Sequence, residues 1–208
     1  MDSIDRLTAL FEKFPGIGPR QARRFVQYLL SSQPGTRSEL SDLIKRLGAE
    51  SKQCSHCYRW YPIGKQASNG ASTCKICSDS HREHAIVFVV EKDADIESVE
   101  RSGFRGLYFV LGGTIPLAAD EPIKHIRLRE LLNRVEGDAS ALKLNELILG
   151  LSATTEGDHT REILMEKLRP LGEGLNFKIS SLGRGLSTGS ELEYADPDTI
   201  SQALGNRH

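Results

Sequence analysis

Ala85-Ile86-Val87-Phe88-Val89-Val90-Glu91-Lys92-Asp93-Ala94-Asp95 is the stretch that decides the architecture. Residues 85–90 form a short, continuous, β-branched run, which suits a strand buried on both faces of a parallel sheet. The run passes directly into carboxylates. A carboxylate at the C-terminal end of such a strand sits where α/β sheets place their ligands. Downstream, apolar runs alternate with helical patterns. The spacing predicts a helix from Ile96 to Arg101 stopped at Gly103, a strand over 107–111, and a helix from Ile126 to Val135. A third strand over 144–151 is centred on Leu147, Ile148 and Leu149. A helix from Thr160 to Leu168, closed by Pro170, and a fourth strand over 177–179 complete the series. This alternation predicts a mainly parallel α/β domain over residues 81–176. Residues 177–208 are rich in Gly and Ser and read as a tail.

Upstream, residues 53–80 change character. They hold all four cysteines in the order C-x2-C, sixteen residues, C-x2-C. Each pair can turn back and present two thiolates to one ion, so Cys54, Cys57, Cys74 and Cys77 complete a tetrahedral four-sulfur shell. A closed shell of this kind is structural, and its ion is expected to be one zinc per chain. A segment of about thirty residues buries little core, so the metal is expected to supply its folding energy, ~10–16 kcal/mol in finger peptides. Four cysteines suffice, which leaves His56, His81 and His84 as solvated or supporting groups.

Residues 1–50 read as helical. Ile4, Leu7, Leu10, Phe11 and Phe14 recur at helical spacing, as do Ala22, Phe25, Val26, Leu29 and Leu30. The second series is expected to stop near Pro34-Gly35. A further helix fits 38–47 with Gly48 as its stop. Between the first two lies Phe14-Pro15-Gly16-Ile17-Gly18-Pro19-Arg20, which is similar to a helix–hairpin–helix. Gly16 and Gly18 let the backbone approach a phosphate with no Cβ in the way. Amides at the next helix N-terminus then point at that phosphate. Arg20, Arg23 and Arg24 add charge, and no acidic residue stands between Lys13 and Arg24. The pattern predicts DNA binding through the backbone, with little sequence preference and strong salt dependence.

Composition agrees with a folded chain: 38% hydrophobic and 26% charged residues among 208. The formal net charge is −1, but residues 1–53 carry +3 and residues 81–176 carry −5. A basic front and an acidic middle predict two surfaces with different partners. No apolar run long enough to span a membrane exists. Met1-Asp2-Ser3-Ile4-Asp5 is acidic and does not read as a signal peptide. A cytoplasmic, nucleoid-associated protein with reduced thiols is expected.

The acidic strand end resembles the Toprim fold of topoisomerases, primases and some nucleases. Active members pair such a glutamate with Asp-x-Asp on a later strand to hold magnesium. After residues 144–151 this chain has Ser152-Ala153-Thr154-Thr155, then Glu156 and Asp158, and no Asp-x-Asp. No P-loop occurs either. No phosphodiester chemistry is expected, and the chain is read as not an enzyme. The competing readings are a magnesium-dependent nuclease or primase-like enzyme and a zinc-stapled adaptor without DNA binding. The missing Asp-x-Asp opposes the first, and the basic run from Lys13 to Arg24 opposes the second.

The collinear set resembles the RecR family of bacterial recombination-repair proteins. It comprises residues 14–20, both cysteine pairs, Val89-Val90-Glu91 with Asp95, residues 108–113, Glu156-Gly157 with Thr160, Glu191-Leu192-Glu193-Tyr194 with Asp196, and Gly205-Asn206-Arg207. The resemblance implies a non-catalytic DNA-repair mediator with four parts: helix–hairpin–helix (1–52), zinc finger (53–80), Toprim (81–176) and Walker-B-like tail (177–208). It implies a homo-oligomer, a dimer or a tetrameric ring that encircles DNA. It also implies action with RecO, and in many cases RecF, to load RecA on single-stranded gaps. By motif, Arg20 and Arg24 would touch DNA, and Glu91, Asp95 and Glu156 would lie on the surface used by RecO. The chain departs from the family in a longer gap between the cysteine pairs, with an extra loop over residues 63–72. It departs again at Ile115-Pro116-Leu117-Ala118-Ala119-Asp120 and around residues 154–160.

Overall fold

The structure is a computed structural model that describes residues 2–63, 72–119, 121–141, 144–183, 185–186, 189 and 191–205. The expected extra loop between the cysteine pairs falls almost wholly outside the described residues, as do Asp120 and Asn206-Arg207. The chain forms two compact units. One comprises Met1–Lys52 and Pro62–Gly64, the other Gln53–Tyr61 and Lys65–His208.

The first unit is helical. Helix α1 (Ser3–Phe11) is capped by the Asp2 side chain, which accepts from the Asp5 N–H at 2.8 Å. Helix α2 (Pro19–Ser31) buries Ala22 and Val26. The Phe11 ring packs on Phe14 and Phe25, with centroids 5.9 and 5.6 Å away. Helix α3 (Pro34–Glu50) corrects two expectations. Pro34 begins this helix, since the N–H it lacks would be unsatisfied there anyway. Gly48 lies inside it and does not stop it; glycine is tolerated within a helix at a cost of ~1 kcal/mol relative to alanine. No residue of α3 is buried, and Leu40, Leu43, Ile44 and Leu47 form an exposed apolar stripe at helical spacing.

The second unit carries a four-stranded, wholly parallel sheet. Its strands are β3 (Glu83–Val90), β4 (Gly106–Val110), β5 (Glu146–Gly150) and β6 (Lys178–Ser181), in the order β4-β3-β5-β6. Two short strands, β1 (Ser51–Gln53) and β2 (Trp60–Pro62), precede it in the chain. Alternate residues of β3 serve opposite faces. Val87 and Val89 join Leu131 and Val135 of α6 (Leu128–Ala141) and Leu164 and Leu168 of α7 (Thr155–Leu175). Phe88 and Val90 join Ile96 of α5 (Asp93–Arg101) on the other side. Helices on both faces explain why β3 reads as a continuous apolar run.

Pro170 does not close its helix: α7 continues to Leu175 and ends at Asn176, whose φ of 57° is left-handed. Leu168 and Gly172 are buried on either side of Pro170. Burial on both flanks outweighs the backbone hydrogen bond that proline removes. The tail contains a short 3-10 turn (Leu192–Tyr194) and helix α8 (Pro197–Gly205). Among the described residues no helix is long and apolar enough to cross a membrane.

Candidate functional site

The four cysteines converge. Cys54 opens a tight turn in which the Tyr58 N–H donates to the Cys54 carbonyl at 3.0 Å, with Tyr58 in the left-handed region at φ 60°. Cys74 caps the short helix α4 (Lys75–Ser78), which carries Cys77. The Cys74 N–H donates to Cys54 Sγ at 3.3 Å, and Cys57 Sγ lies 3.6 Å from Cys74 Sγ. All four sulfurs lie within 4.8 Å of one another, all are buried, and none is in a disulfide. Sulfurs each ~2.3 Å from one tetrahedral ion would be ~3.8 Å apart, so the donor set fits a closed four-thiolate metal site. Among the described residues no histidine joins the cluster. His84 Nε2 instead meets the Asp79 carbonyl at 2.9 Å, and His81 pairs with the Asp79 carboxylate.

Contacts beyond the sulfurs join the cysteine segment to the parallel domain. Tyr58 and Ile76, each next to a cysteine, pack against the core of the parallel domain. The Val110 N–H of edge strand β4 donates to the Cys57 carbonyl at 2.8 Å. The segment therefore covers a sheet edge and shares its core, which adds burial that the local sequence does not contain.

The glycine hairpin lies between α1 and α2. Gly16 has φ +75°, a conformation that L side chains rarely adopt, so glycine is required there. Gly18 is extended, caps α2 and precedes Pro19. A Cβ at either glycine would meet open space, so the backbone on that side is clear. Arg20, Arg23 and Arg24 are all exposed on the first turns of α2. Their spacing of three and four residues keeps them on neighbouring positions of one helix side. Arg24 Nη1 donates to Gln21 Oε1 at 3.3 Å.

The acidic strand end is held by its own backbone contacts. Glu91, directly after β3, is 6% exposed, and its Oε1 accepts from the Ser152 N–H at 2.6 Å. That bond ties the ends of β3 and β5. Asp95 Oδ2 accepts from the Lys92 N–H at 2.8 Å and caps α5. Glu156 is exposed in the first turn of α7, with Thr114 Oγ1 3.4 Å from its Oε2. Three arrangements escaped sequence reasoning. Asp93 Oδ1 accepts from the Trp60 N–H at 2.8 Å. Arg82 is buried against Glu100, whose other oxygen accepts from the Tyr108 hydroxyl at 2.6 Å. Arg134 pairs with Asp138 at 3.0 Å. Only the last had a partial signal, an Arg near the end of the helix expected over 126–135 and an Asp four residues further on; the observed helix runs on to Ala141 and brings the two together.

Comparison with known proteins agrees with this arrangement. The Toprim domain family matches residues 85–180, and the family described as RecR, C-terminal, matches residues 185–208. The Recombination protein RecR of Bifidobacterium longum subsp. infantis is 36% identical over 206 residues, covering 99% of this chain and 95% of the relative. That of Bdellovibrio bacteriovorus is 35% identical over 211 residues, covering 100% and 97%. That of a Mycobacterium species is 36% identical over 208 residues, covering 99% and 95%.

Proposed function

We propose that this chain, which belongs to the RecR family of recombination proteins, is a non-catalytic DNA-binding mediator. In this reading it forms a ring-like clamp on DNA and acts with RecO, and in many cases RecF, to load RecA at single-stranded gaps. The observation that carries the DNA-binding part is the exposed triad Arg20, Arg23 and Arg24, set beside a hairpin whose glycines leave the backbone open. Such a surface contacts phosphates and reads little sequence. The work is divided among a hairpin domain (1–52), a zinc finger (53–80), a Toprim domain (81–176) and a tail (177–208).

Cys54, Cys57, Cys74 and Cys77 hold one zinc ion in this reading, and zinc supplies fixed geometry and no chemistry. Exposed Glu156 and half-buried Asp95 offer an acidic strand end to a basic partner, RecO, and the buried Glu91 adds its charge and holds the loop after β5. Self-association is supported by the apolar stripe of α3, which has no cover among the described residues. The protein works in the cytoplasm, on the nucleoid.

Salt titration of DNA binding tests the central claim. Each phosphate contact contributes about −0.9 to the slope of log K against log salt on duplex DNA. Replacing Arg20 and Arg24 with Ala together should weaken binding and make the slope shallower by up to ~2 units. An unchanged slope refutes DNA binding at this hairpin.

A further inference from the structure

One side chain outside the cysteine cluster holds its first turn in place. Arg134 lies on α6, and its side chain is 6% exposed. Its Nη1 donates to the His56 carbonyl at 2.7 Å and to the Tyr108 carbonyl at 2.6 Å. Its Nε donates to Asp138 Oδ2 at 3.0 Å. His56 stands between Cys54 and Cys57, while Tyr108 is in the middle of β4. One guanidinium thus clips the metal turn to the sheet. Around it, the Val110 N–H holds the Cys57 carbonyl, the Tyr58 ring rests 5.4 Å from Phe109, and the Arg127 guanidinium lies 5.8 Å over Tyr58. Three consecutive residues are thereby held by groups of the parallel domain, His56 and Cys57 through their carbonyls and Tyr58 through its ring.

We propose that Arg134 is a positioning residue for the metal, one that sets the Cys54–Cys57 turn in its ligating shape and raises metal affinity without touching the ion. The inference rests on the reading that the four cysteines bind zinc. A free C-x2-C turn samples many conformations and loses that freedom when the ion binds. A turn already clipped to a sheet has less to lose, so the same four sulfurs bind more tightly. Supporting groups beyond the ligands commonly change metal affinity 10–100-fold. Because Asp138 neutralises Arg134, the effect works through geometry and hydrogen bonding and not through net charge. Asp138 orients the guanidinium and is secondary.

The test uses the full-length protein, with zinc affinity measured by competition against a chromophoric chelator and cobalt(II) as a spectroscopic substitute. Arg134→Met keeps an apolar stem and removes every donor. It should bind zinc about 10–100-fold more weakly, yet reach one ion per chain and the tetrahedral four-thiolate cobalt spectrum at saturation. Asp138→Asn should fall between this variant and the wild type. Arg129→Ala, on the same helix with an 85% exposed side chain, should leave affinity unchanged. A merely structural role would lower the melting temperature of the metal-free and zinc-loaded proteins equally. A positioning role lowers that of the loaded protein more, because the contribution of a bound ligand scales with its affinity. Wild-type affinity in Arg134→Met, or equal losses in both forms, overturns the inference. If Arg134→Met does not fold, Asp138→Asn carries the same comparison, and wild-type zinc affinity in that variant overturns it. Wild-type protein that takes up neither zinc nor cobalt overturns the metal reading itself, a separate result.

Discussion

Replacing Gly157 with Ala probes the joint between the acidic strand end and α7. A Cβ at residue 157 would lie 2.1 Å from the Ser152 carbonyl oxygen, 3.0 Å from its carbon and 3.2 Å from Thr154 Oγ1. The first contact is with backbone, so it cannot be relieved by turning a side chain; the exposed segment at Ser152 must shift by roughly 1 Å away from the buried residue 157. Overpacking of this kind costs about 1–3 kcal/mol. Ser152 is also the residue whose N–H donates to the buried Glu91 carboxylate. Loosening that charged hydrogen bond costs a further ~1.5–3 kcal/mol. Alanine returns up to ~1 kcal/mol as a better helix former. The net loss is about 1.5–5 kcal/mol, which for a chain of this size lowers the melting temperature by roughly 3–20 °C. Gly174 on the same helix is the control, because a Cβ there meets nothing within 4 Å. Thermal unfolding followed by circular dichroism should place Gly157→Ala well below the wild type and Gly174→Ala level with it or slightly above. A Gly157→Ala protein that melts with the wild type would refute the packing argument.

Two further outcomes follow from the same contacts. Burial raises the Glu100 carboxyl, but Arg82 and the Tyr108 hydroxyl override it and hold the group below its ordinary 4.5; the Ser180 hydroxyl, with Lys178, does the same for Glu146. Depressed folded-state values mean that both groups stabilise the fold above about pH 4.5 and lose that contribution as pH falls through the folded-state values. The melting temperature should therefore drop on acidification below pH 4.5, and less steeply in Glu100→Gln and Glu146→Gln. In the helical unit, Leu43→Lys with Ile44→Glu breaks the apolar stripe of α3 without removing any buried group. Light scattering should then report a smaller particle than the wild type, and an unchanged mass excludes α3 from the self-association surface.

Much of the parallel domain was legible because its signals are local. The run over 85–90 is apolar at every position since both faces of β3 are covered, and each cysteine pair declares its turn within four residues. The readings that failed were also local ones. Pro34, Gly48 and Pro170 are breakers by type, yet Pro34 starts a helix and the other two lie within helices. For Pro34 the position within the helix decides, and for Pro170 the burial of Leu168 and Gly172 decides. The contacts that hold the candidate sites together were beyond reach for a different reason. Arg82 and Glu100 are 18 residues apart, Trp60 and Asp93 are 33 apart, and Arg134 and His56 are 78 apart. Periodicity speaks over one or two helical turns and is silent about pairs that the topology brings together.

The same contacts govern how the acidic strand end is to be tested as a partner surface. Removing Glu91 as alanine would delete a negative charge and also strand the Ser152 N–H, so weaker binding could come from a moved loop. Glutamine at 91 keeps a carbonyl oxygen for that N–H and removes the charge, with an amide NH2 in place of the second oxygen. Asp95 carries the same ambiguity through its cap on α5, where asparagine preserves the acceptor. Glu156 is exposed, and its contact with Thr114 is long, so its charge can be removed with least disturbance. A basic partner that reads charge must therefore respond to Glu156→Gln and Glu91→Gln in the same direction. A partner that responds to Glu91→Ala and to neither glutamine variant is reading the shape of the loop after β5.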